Sequence, residues 1–248
     1  MSWNDLARSE TRKLTTTRMP LAFVAVFVVL AGINGVAVAV GTDMDGSKAF
    51  ISTADDQRSL MAFAANALMI TGLFGAIAAA REHANSTVIA TYLASPRRPR
   101  ALLAHFTAIG AAGAVLGLVG TALSIVGIAA TLPLTDFGFM VGAAGLAHVL
   151  VAAAWAGACG AVLGAAIGTV VRNTGGAVAL VVIVLVIAPP LVVQLASATA
   201  TWIPSTLALV ASGVMEGTSV AAAAAAMALW AAVPAMVALS VVRHRDVV

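Results

Sequence analysis

Long apolar runs separated by short polar segments dominate the chain. No charged residue occurs in residues 101–135, 137–171 or 173–215. A helix needs about 20 apolar residues to cross a bilayer, so each run is long enough for at least one crossing. The predicted spans cover residues 20–40, 60–80, 101–131, 138–171, 177–196 and 220–242. The pattern predicts an all-α polytopic membrane protein, with residues 1–248 forming one transmembrane domain.

The polar N-terminal segment, residues 2–17, precedes the first span. Its residue spacing predicts an amphipathic helix lying in the membrane surface, with Trp3 as an interfacial anchor and Arg8 and Arg12 among the lipid headgroups. A disordered basic tail is the alternative. The apolar run 21–40 that follows is longer than the 7–15 residues usual in a signal peptide, so we interpret it as an uncleaved span.

Positive charge is distributed unevenly between the two sides that six spans create. Eleven of the thirteen Lys and Arg residues fall on the side of the termini, and only Lys48 and Arg58 fall on the other. Lys and Arg concentrate in the cytoplasmic segments of membrane proteins. The charge pattern therefore predicts cytoplasmic termini. The eleven are Arg8, Arg12, Lys13, Arg18, Arg81, Arg97, Arg98, Arg100, Arg172, Arg243 and Arg245.

Small residues predict where the helices touch. The chain is 61% hydrophobic and 9% charged, and it contains 22 Gly. Gly at every fourth position lets two helix backbones approach closely. Three series fit this pattern: Gly160–Gly164–Gly168, Gly113–Gly117 and Gly138–Gly142. The single cysteine, Cys159, excludes an intrachain disulfide and a cysteine metal site.

Catalytic motifs and buried charges are absent from the predicted spans. The sequence has no HExxH or GxSxG motif, and GTDMDGSK in residues 41–48 has the wrong order for a phosphate-binding loop. His148 is the one ionisable group well inside a span, with Trp155 at i+7 and Gln194 in the next span. These three side chains are candidates for a substrate path. A neutral His148 hydrogen-bonded to a neighbouring helix is the alternative.

Residues 81–100 form the most prominent polar segment between the spans. They contain four of the thirteen basic residues and lie on the predicted cytoplasmic side. Since the spans offer little chemistry, we expect this segment to be the functional surface. Arg97, Arg98 and Arg100 are compatible with contact to an acidic partner and equally with anchoring in lipid headgroups.

Four segments resemble the permease subunits of ABC-2 type transporters, bacterial ATP-binding-cassette exporters whose ATPase is a separate polypeptide. They occur in the family's order: SETRKLTTTRMPLAF (9–23), REHANSTVIATYLASPRRPRALLAH (81–105), IGTVVRNTGGAVALVVIVLVIAPPL (167–191) and TWIPSTLAL (201–209). The resemblance covers nearly the whole length. One departure is at the start of the second segment, where the family commonly has Gly-Glu-Tyr/Trp and this chain has Arg81-Glu82-His83.

The resemblance implies an all-α fold of six transmembrane helices. An amphipathic elbow helix (2–17) would precede the first span, a cytoplasmic coupling helix would lie in the loop 81–100 between spans two and three, and a re-entrant segment (199–219) would lie on the outer side. The residues implied in coupling to an ATPase are Glu82, Thr87, Val88, Thr91, Tyr92, Arg97 and Arg98.

The implied function is that of a permease in the bacterial plasma (inner) membrane, exporting a hydrophobic or amphipathic drug, antibiotic, lipid or peptide. Two ATPase subunits, a second permease (identical or paralogous) and membrane lipids are the implied partners, with no nucleic acid. ATP and Mg would be bound by the ATPase subunits, so this chain is expected to hold no cofactor and to be no enzyme. The alternatives are a non-transporting structural or regulatory membrane protein and, less well supported, a secondary transporter.

Overall fold

The fold is that of a helical membrane protein, seen in a computed structural model that describes residues 3–42, 46–84 and 98–244. All regular elements in these ranges are helices. The α-helices are α1 (Trp3–Thr16), α2 (Met19–Val40), α3 (Ala54–Met61), α4 (Ala64–Ala84), α5 (Arg98–Thr131), α6 (Ala143–Val171), α7 (Thr174–Val182), α8 (Ala188–Leu195), α9 (Pro204–Ala211) and α10 (Val220–His244). Short 3-10 helices cover Ala49–Ile51, Leu132–Leu134 and Ser197–Trp202.

Six helical stretches in the described residues are long and apolar enough to cross a membrane, as the hydrophobic pattern predicts. They are Met19–Val40, Ala54–Glu82, Pro99–Leu134, Ala143–Val171, Thr174–Leu195 and Val220–His244. The protein is therefore a multi-pass membrane protein. We name the two ends of the bundle by one residue each: the Glu82 end, where α1 packs, and the Gln57 end, where α3 and α9 lie.

The boundaries of several helices differ from those that hydropathy predicts. Residues 138–142 precede α6 and are not helical, so this long apolar run contains a shorter helix than expected. The second span consists of α3 and α4, which are separated by Ala62 and Phe63. Thr53 begins α3 with a reciprocal capping box to Asp56, which satisfies free backbone N–H groups at the start of the helix.

Helix α6 lies at the centre of the bundle and packs most extensively against α4. The glycine series on α6 faces this contact. A Cβ atom added at Gly164 would overlap the carbonyl oxygen of Gly72, and one added at Gly75 would overlap that of Ala161. Only glycine permits such an approach of two backbones, which maximises van der Waals contact where water exclusion cannot drive association. We call this contact the α4–α6 seam.

A second close contact joins α5 to α6, one to two turns nearer the start of α6. Gly113 faces the carbonyl oxygen of Gly157, and Gly117 faces that of Ala153, at distances that exclude a side chain. These two glycines therefore form an interface, as their spacing predicts. Gly138 and Gly142 do not, since a Cβ atom at either would meet no heavy atom of the described chain within 4 Å. They precede α6 and lie on no helix face.

The pair Pro189-Pro190 does not break its helix, although proline inside a helix commonly kinks or breaks it. The helical path runs from α7 through a π-helical turn, Ile183–Ile187, directly into α8, and the prolines lie in the first turn of α8. A wider π turn accommodates residues that lack an amide hydrogen and whose rings need space in the preceding turn.

Helices α2, α7 and α8 lie at the periphery of the bundle. They contribute few buried residues, and apolar side chains such as Val29, Ile33, Ile187 and Leu191 are exposed. In a membrane protein such surfaces face lipid or another transmembrane chain. Most core residues come from α4, α5, α6, α9 and the inner face of α10, while α2 and α7 contribute only a few, such as Phe27 and Val181.

Candidate functional site: a buried charge cluster at the Glu82 end

Four ionisable side chains from three helices meet where α1 packs on the bundle. Lys13 Nζ lies 2.5 Å from Glu10 Oε1 and 3.2 Å from Glu82 Oε1. His105 Nδ1 lies 2.7 Å from Glu10 Oε2 and 3.7 Å from Glu82 Oε2. We call this group the charge cluster. It joins α1 to the last turn of α4 and to the second turn of α5. Helices α4 and α5 are the two that flank residues 85–97.

The spacing of residues along α1 explains why it presents these groups to the bundle. Leu6 and Glu10 are four residues apart and are both 2% exposed, so one face of α1 is buried. That face packs mainly on α5. Arg8 and Arg12 lie on the exposed side. An amphipathic helix is thus present. Its apolar face, however, contacts the protein through Leu6, whereas the sequence pattern predicted contact with the membrane surface.

Glu82 lies at the C-terminal end of α4, which continues to Ala84. A helix dipole favours a negative charge at the start of a helix. At the C-terminus of α4 the dipole disfavours it. Lys13 and His105 offset that effect, because both place positively polarised groups close to the Glu82 carboxylate.

Electrostatics hold Glu10 and Lys13 in their ionised forms. Burial raises the pKa of Glu10, but the hydrogen bond and charge of His105, together with Lys13, bring that pKa below the ordinary value. Burial lowers the pKa of Lys13, but the hydrogen bond that Lys13 donates to Glu10 and the charges of Glu82 and Glu10 raise it above the ordinary value. A carboxylate that is 3% exposed stays charged only when paired and hydrogen-bonded, and Glu10 is both.

A pocket of about 330 Å³ opens beside the cluster. Its lining combines the cluster residues with Leu14, Met19, Ala78 and Arg81. Because this space lies between α1 and α4, side-chain ion pairs rather than continuous apolar packing connect those two helices.

The donor atoms of Glu10, Glu82 and His105 lie within 4.8 Å of one another, a spacing compatible with a bound cation. The ammonium group of Lys13 already contacts both carboxylates. A side chain of the protein therefore holds the position that a cation would take, and we assign no metal ion to the cluster.

Of the residues that the family resemblance implies in coupling, the structure positions Glu82 within the cluster. Thr87, Val88, Thr91, Tyr92 and Arg97 lie outside the described residues, and Arg98 is described only as the first residue of α5. Helices α4 and α5 extend to Ala84 and from Arg98, so they occupy part of the predicted loop 81–100.

The three candidates for a substrate path are dispersed. His148 Nε2 lies 2.9 Å from the carbonyl oxygen of Ala211 at the end of α9, and Trp155 Nε1 donates to the carbonyl oxygen of Ala224 on α10. Gln194 is exposed on α8, which packs mainly against the helical turns on either side of it. His148 therefore has the partner on a neighbouring helix that the alternative interpretation requires.

A second polar group, at the Gln57 end, was not predicted from sequence. Gln57 is 0% exposed, and its Nε2 donates to the carbonyl oxygens of Ile51 and Gly138, at 3.2 and 2.8 Å. Its Oε1 accepts from Met140 N at 2.9 Å. We call this the Gln57 node. It attaches the non-helical residues before α6 to α3.

Arg58, next to Gln57, reaches the other side of this end. Its guanidinium donates to the carbonyl oxygen of Gly213 at 3.0 Å, close to the contact between His148 and Ala211. Gly213 has φ +72°, which an L side chain rarely adopts. The C-terminal end of α9 is thus held by two basic side chains, a favourable arrangement for the carbonyl groups that end a helix.

Sequence reasoning also missed Glu10 and His105 as members of a site. His105 stands near the end of a predicted span, where a histidine needs no special explanation. The sequence does contain a signal for Glu10. This residue shares a helix face with Leu6, and charged residues are few in this chain. Comparison with protein-family models found no matching family, and comparison with curated proteins found no match.

Proposed function

We propose that this chain is the membrane subunit of an ATP-driven exporter of the ABC-2 type, powered by a separate ATPase. The observation that carries the proposal is the charge cluster. It fixes the start of the polar segment 81–100 to both α1 and α5 through partly buried ion pairs. A segment on which a partner pushes must be joined firmly to the helices that it moves, and the cluster provides such a junction.

The packing of α4 supports a mechanical role. Glu82 lies at one end of α4, and the glycine-mediated α4–α6 seam runs along the rest of that helix. Two backbones in direct contact move together, because no side chain between them can change its rotamer to absorb a displacement. A force applied near Glu82 would thus be transmitted to α6 at the centre of the bundle.

The chemistry of the interior supports a hydrophobic or amphipathic substrate. Between the two polar ends, the buried polar side chains of the described spans are hydroxyls, those of Thr71, Thr121, Ser124 and Thr169. Thr71 and Thr169 donate to carbonyl oxygens of their own helices, which leaves little polarity directed outward. An interior of this kind offers no counter-charge for an ionic substrate.

A second permease completes the proposed assembly. We place it against α7 and the π-helical turn, the least buried of the spanning stretches, where Val186 and Ile187 are exposed. The proposal also includes a bacterial plasma membrane with Arg8, Arg12 and the termini on the cytoplasmic side. ATP and Mg would bind to the ATPase subunits, and this chain would have no enzymatic activity of its own.

Purification of the chain from its native membrane is the first test. We expect an ATPase subunit with a phosphate-binding loop to co-purify at one copy per permease, and its reading frame to lie beside the permease gene. Recovery of the chain without an ATPase would contradict the proposal.

Reconstituted complexes provide the second test. Glu82→Gln should lower ATP-driven export severalfold, because it weakens the junction to Lys13, while Glu216→Gln, an exposed carboxylate at the opposite end, should leave export unchanged. Equal export by wild type, Glu82→Gln and variants in Thr87 to Tyr92 would exclude a role for this segment in coupling.

A further inference from the structure

Helix α1 is attached to the bundle by a few apolar contacts and by the charge cluster, which includes His105. Helix α1 packs mainly on α5, and the pocket beside Leu14 leaves it with little direct packing on α4. Its apolar attachment is centred on Leu6, which is buried, and on Leu14, which is partly buried. The charge cluster therefore supplies a large share of the contacts that hold α1 in place.

One nitrogen of the His105 imidazole, Nδ1, lies near carboxylates from two different helices. A neutral imidazole donates one hydrogen bond from Nδ1 to Glu10, at 2.7 Å. A protonated imidazole makes the same bond with charge assistance, and it attracts Glu82 Oε2, 3.7 Å away, through space. Histidine is the ordinary side chain that gains or loses a proton between pH 5 and 8.

Charged groups face His105 from both of the helices that the cluster joins to α5. From α1 these are Glu10 and Lys13, and from α4 they are Glu82 and Arg81, which lines the same pocket. The pKa of Glu10 lies below its ordinary value of 4.5, and that of Lys13 lies above its ordinary value of 10.5. Neither changes charge where histidine does.

We propose that His105 is a proton-operated latch for α1: its protonated form holds α1 on α4 and α5, and its neutral form releases the helix more readily. The carrying observation is the position of one imidazole nitrogen between the carboxylates of α1 and α4. The latch would make the position of α1 respond to the pH on the Glu82 side of the membrane. This inference does not depend on the transport proposal, since it concerns the docking of one helix.

The test measures the distance of α1 from the bundle as a function of pH. Spin labels would be placed at Thr15→Cys, on the exposed side of α1, and at Ser240→Cys, on the exposed side of α10, in a Cys159→Ala background. The full chain would be reconstituted in nanodiscs of zwitterionic lipid. Anionic lipid is omitted so that it does not hold α1 through Arg8 and Arg12.

For the wild-type cluster we expect the ratio of docked to undocked α1 to fall about five- to tenfold between pH 5.5 and 8.5. This is the difference between a charge-assisted and a neutral hydrogen bond. His105→Lys, with a permanent charge, should stay docked throughout. His105→Gln, which keeps a neutral donor, should show the same lower ratio at both pH values.

His244→Gln is the matched control, because it removes an exposed histidine at the end of α10, whose Nδ1 lies 2.8 Å from the carbonyl oxygen of Ser240 in the same helix. It should retain the pH dependence of the wild type. A docked fraction that does not change with pH in the wild type would overturn the proposal. So would a His105→Gln variant that responds to pH as the wild type does, because another group would then be responsible.

Discussion

Both ends of the bundle attach non-spanning segments to spanning helices, but the two ends use different chemistry. At the Glu82 end, charged side chains from different helices contact one another. At the Gln57 end, one neutral side chain bonds to three backbone groups. Ion pairs depend on the protonation of each partner, whereas an amide bonded to the backbone does not titrate.

The difference indicates which end is built to change. The Gln57 node joins α3 to the 3-10 helix before it and to the non-helical residues before α6 through three hydrogen bonds, and Gln57 itself is fully buried. The charge cluster adjoins a pocket, and Lys13, at 37% side-chain exposure, is partly open to solvent. We infer that the attachments at the Gln57 end stay fixed, while the docking of α1 at the Glu82 end can change. The following predictions test this contrast.

The largest effect is expected at the α4–α6 seam, which connects the two ends. Gly164→Leu would place a side chain where the Gly72 carbonyl lies, forcing the helices apart at a cost of about 3 kcal/mol or more. Thermal unfolding in detergent should show a large fall in Tm, with both ends affected. Gly32→Leu is the control, since a Cβ atom there meets nothing within 4 Å. A similar Tm for the two variants would contradict the assigned seam.

A smaller effect, confined to the Glu82 end, is expected from Glu10→Ala. This change removes the carboxylate that is hydrogen-bonded to His105 and one of the two carboxylates that contact Lys13. We expect it to weaken the docking of α1 by about 3 kcal/mol. Limited proteolysis should cleave between α1 and α2 faster than in the wild type, with little change elsewhere. Glu216→Ala, an exposed carboxylate, is the matched control. Unchanged cleavage would show that apolar contacts hold α1 alone.

Gln57→Ala tests the opposite end and should cost about 2 kcal/mol. The variant leaves the buried carbonyl group of Ile51, and the partly buried carbonyl group of Gly138 and amide N–H of Met140, without their partner. Hydrogen exchange should accelerate in residues 138–142 but not in α1. Asp55→Ala, on the exposed side of the same helix, should behave as the wild type. Faster exchange in α1 would show that the two ends are coupled rather than separate.

The smallest effect is the pH dependence of the charge cluster outside the histidine range. The lowered pKa of Glu10 means that its stabilising contribution is complete above pH 4.5 and is lost as the pH falls through the lowered value. The raised pKa of Lys13 means that its contribution is complete below pH 10.5 and is lost as the pH rises further. The Tm difference between wild type and Glu10→Ala should therefore shrink below pH 4.5.

Gln57→Ala provides the contrast, because its Tm difference from wild type should be the same at pH 4 and pH 7. A difference that shrinks equally for both variants would mean that acid weakens the whole bundle.

Prediction from sequence succeeded where a pattern follows from the periodicity of a single helix. The six spanning helices followed from hydropathy, and the spacing of Gly160, Gly164 and Gly168 correctly predicted a helix contact. It failed where the outcome depends on which helices become neighbours. Gly138 and Gly142 have the same spacing but precede their helix, and His105 gave no sign that Glu10 would lie beside it.

The sequence by itself determined that this is a helical multi-pass membrane protein, because long uncharged runs are stable only as hydrogen-bonded helices in a bilayer. It also marked residues 81–100 as the polar segment of interest. The tertiary structure decided how the start of that segment is held. Residues 10, 82 and 105 are far apart in the chain, and their ion pairs form only because α1, α4 and α5 pack together. Charge pairing across helices is a property of packing, which no local pattern encodes.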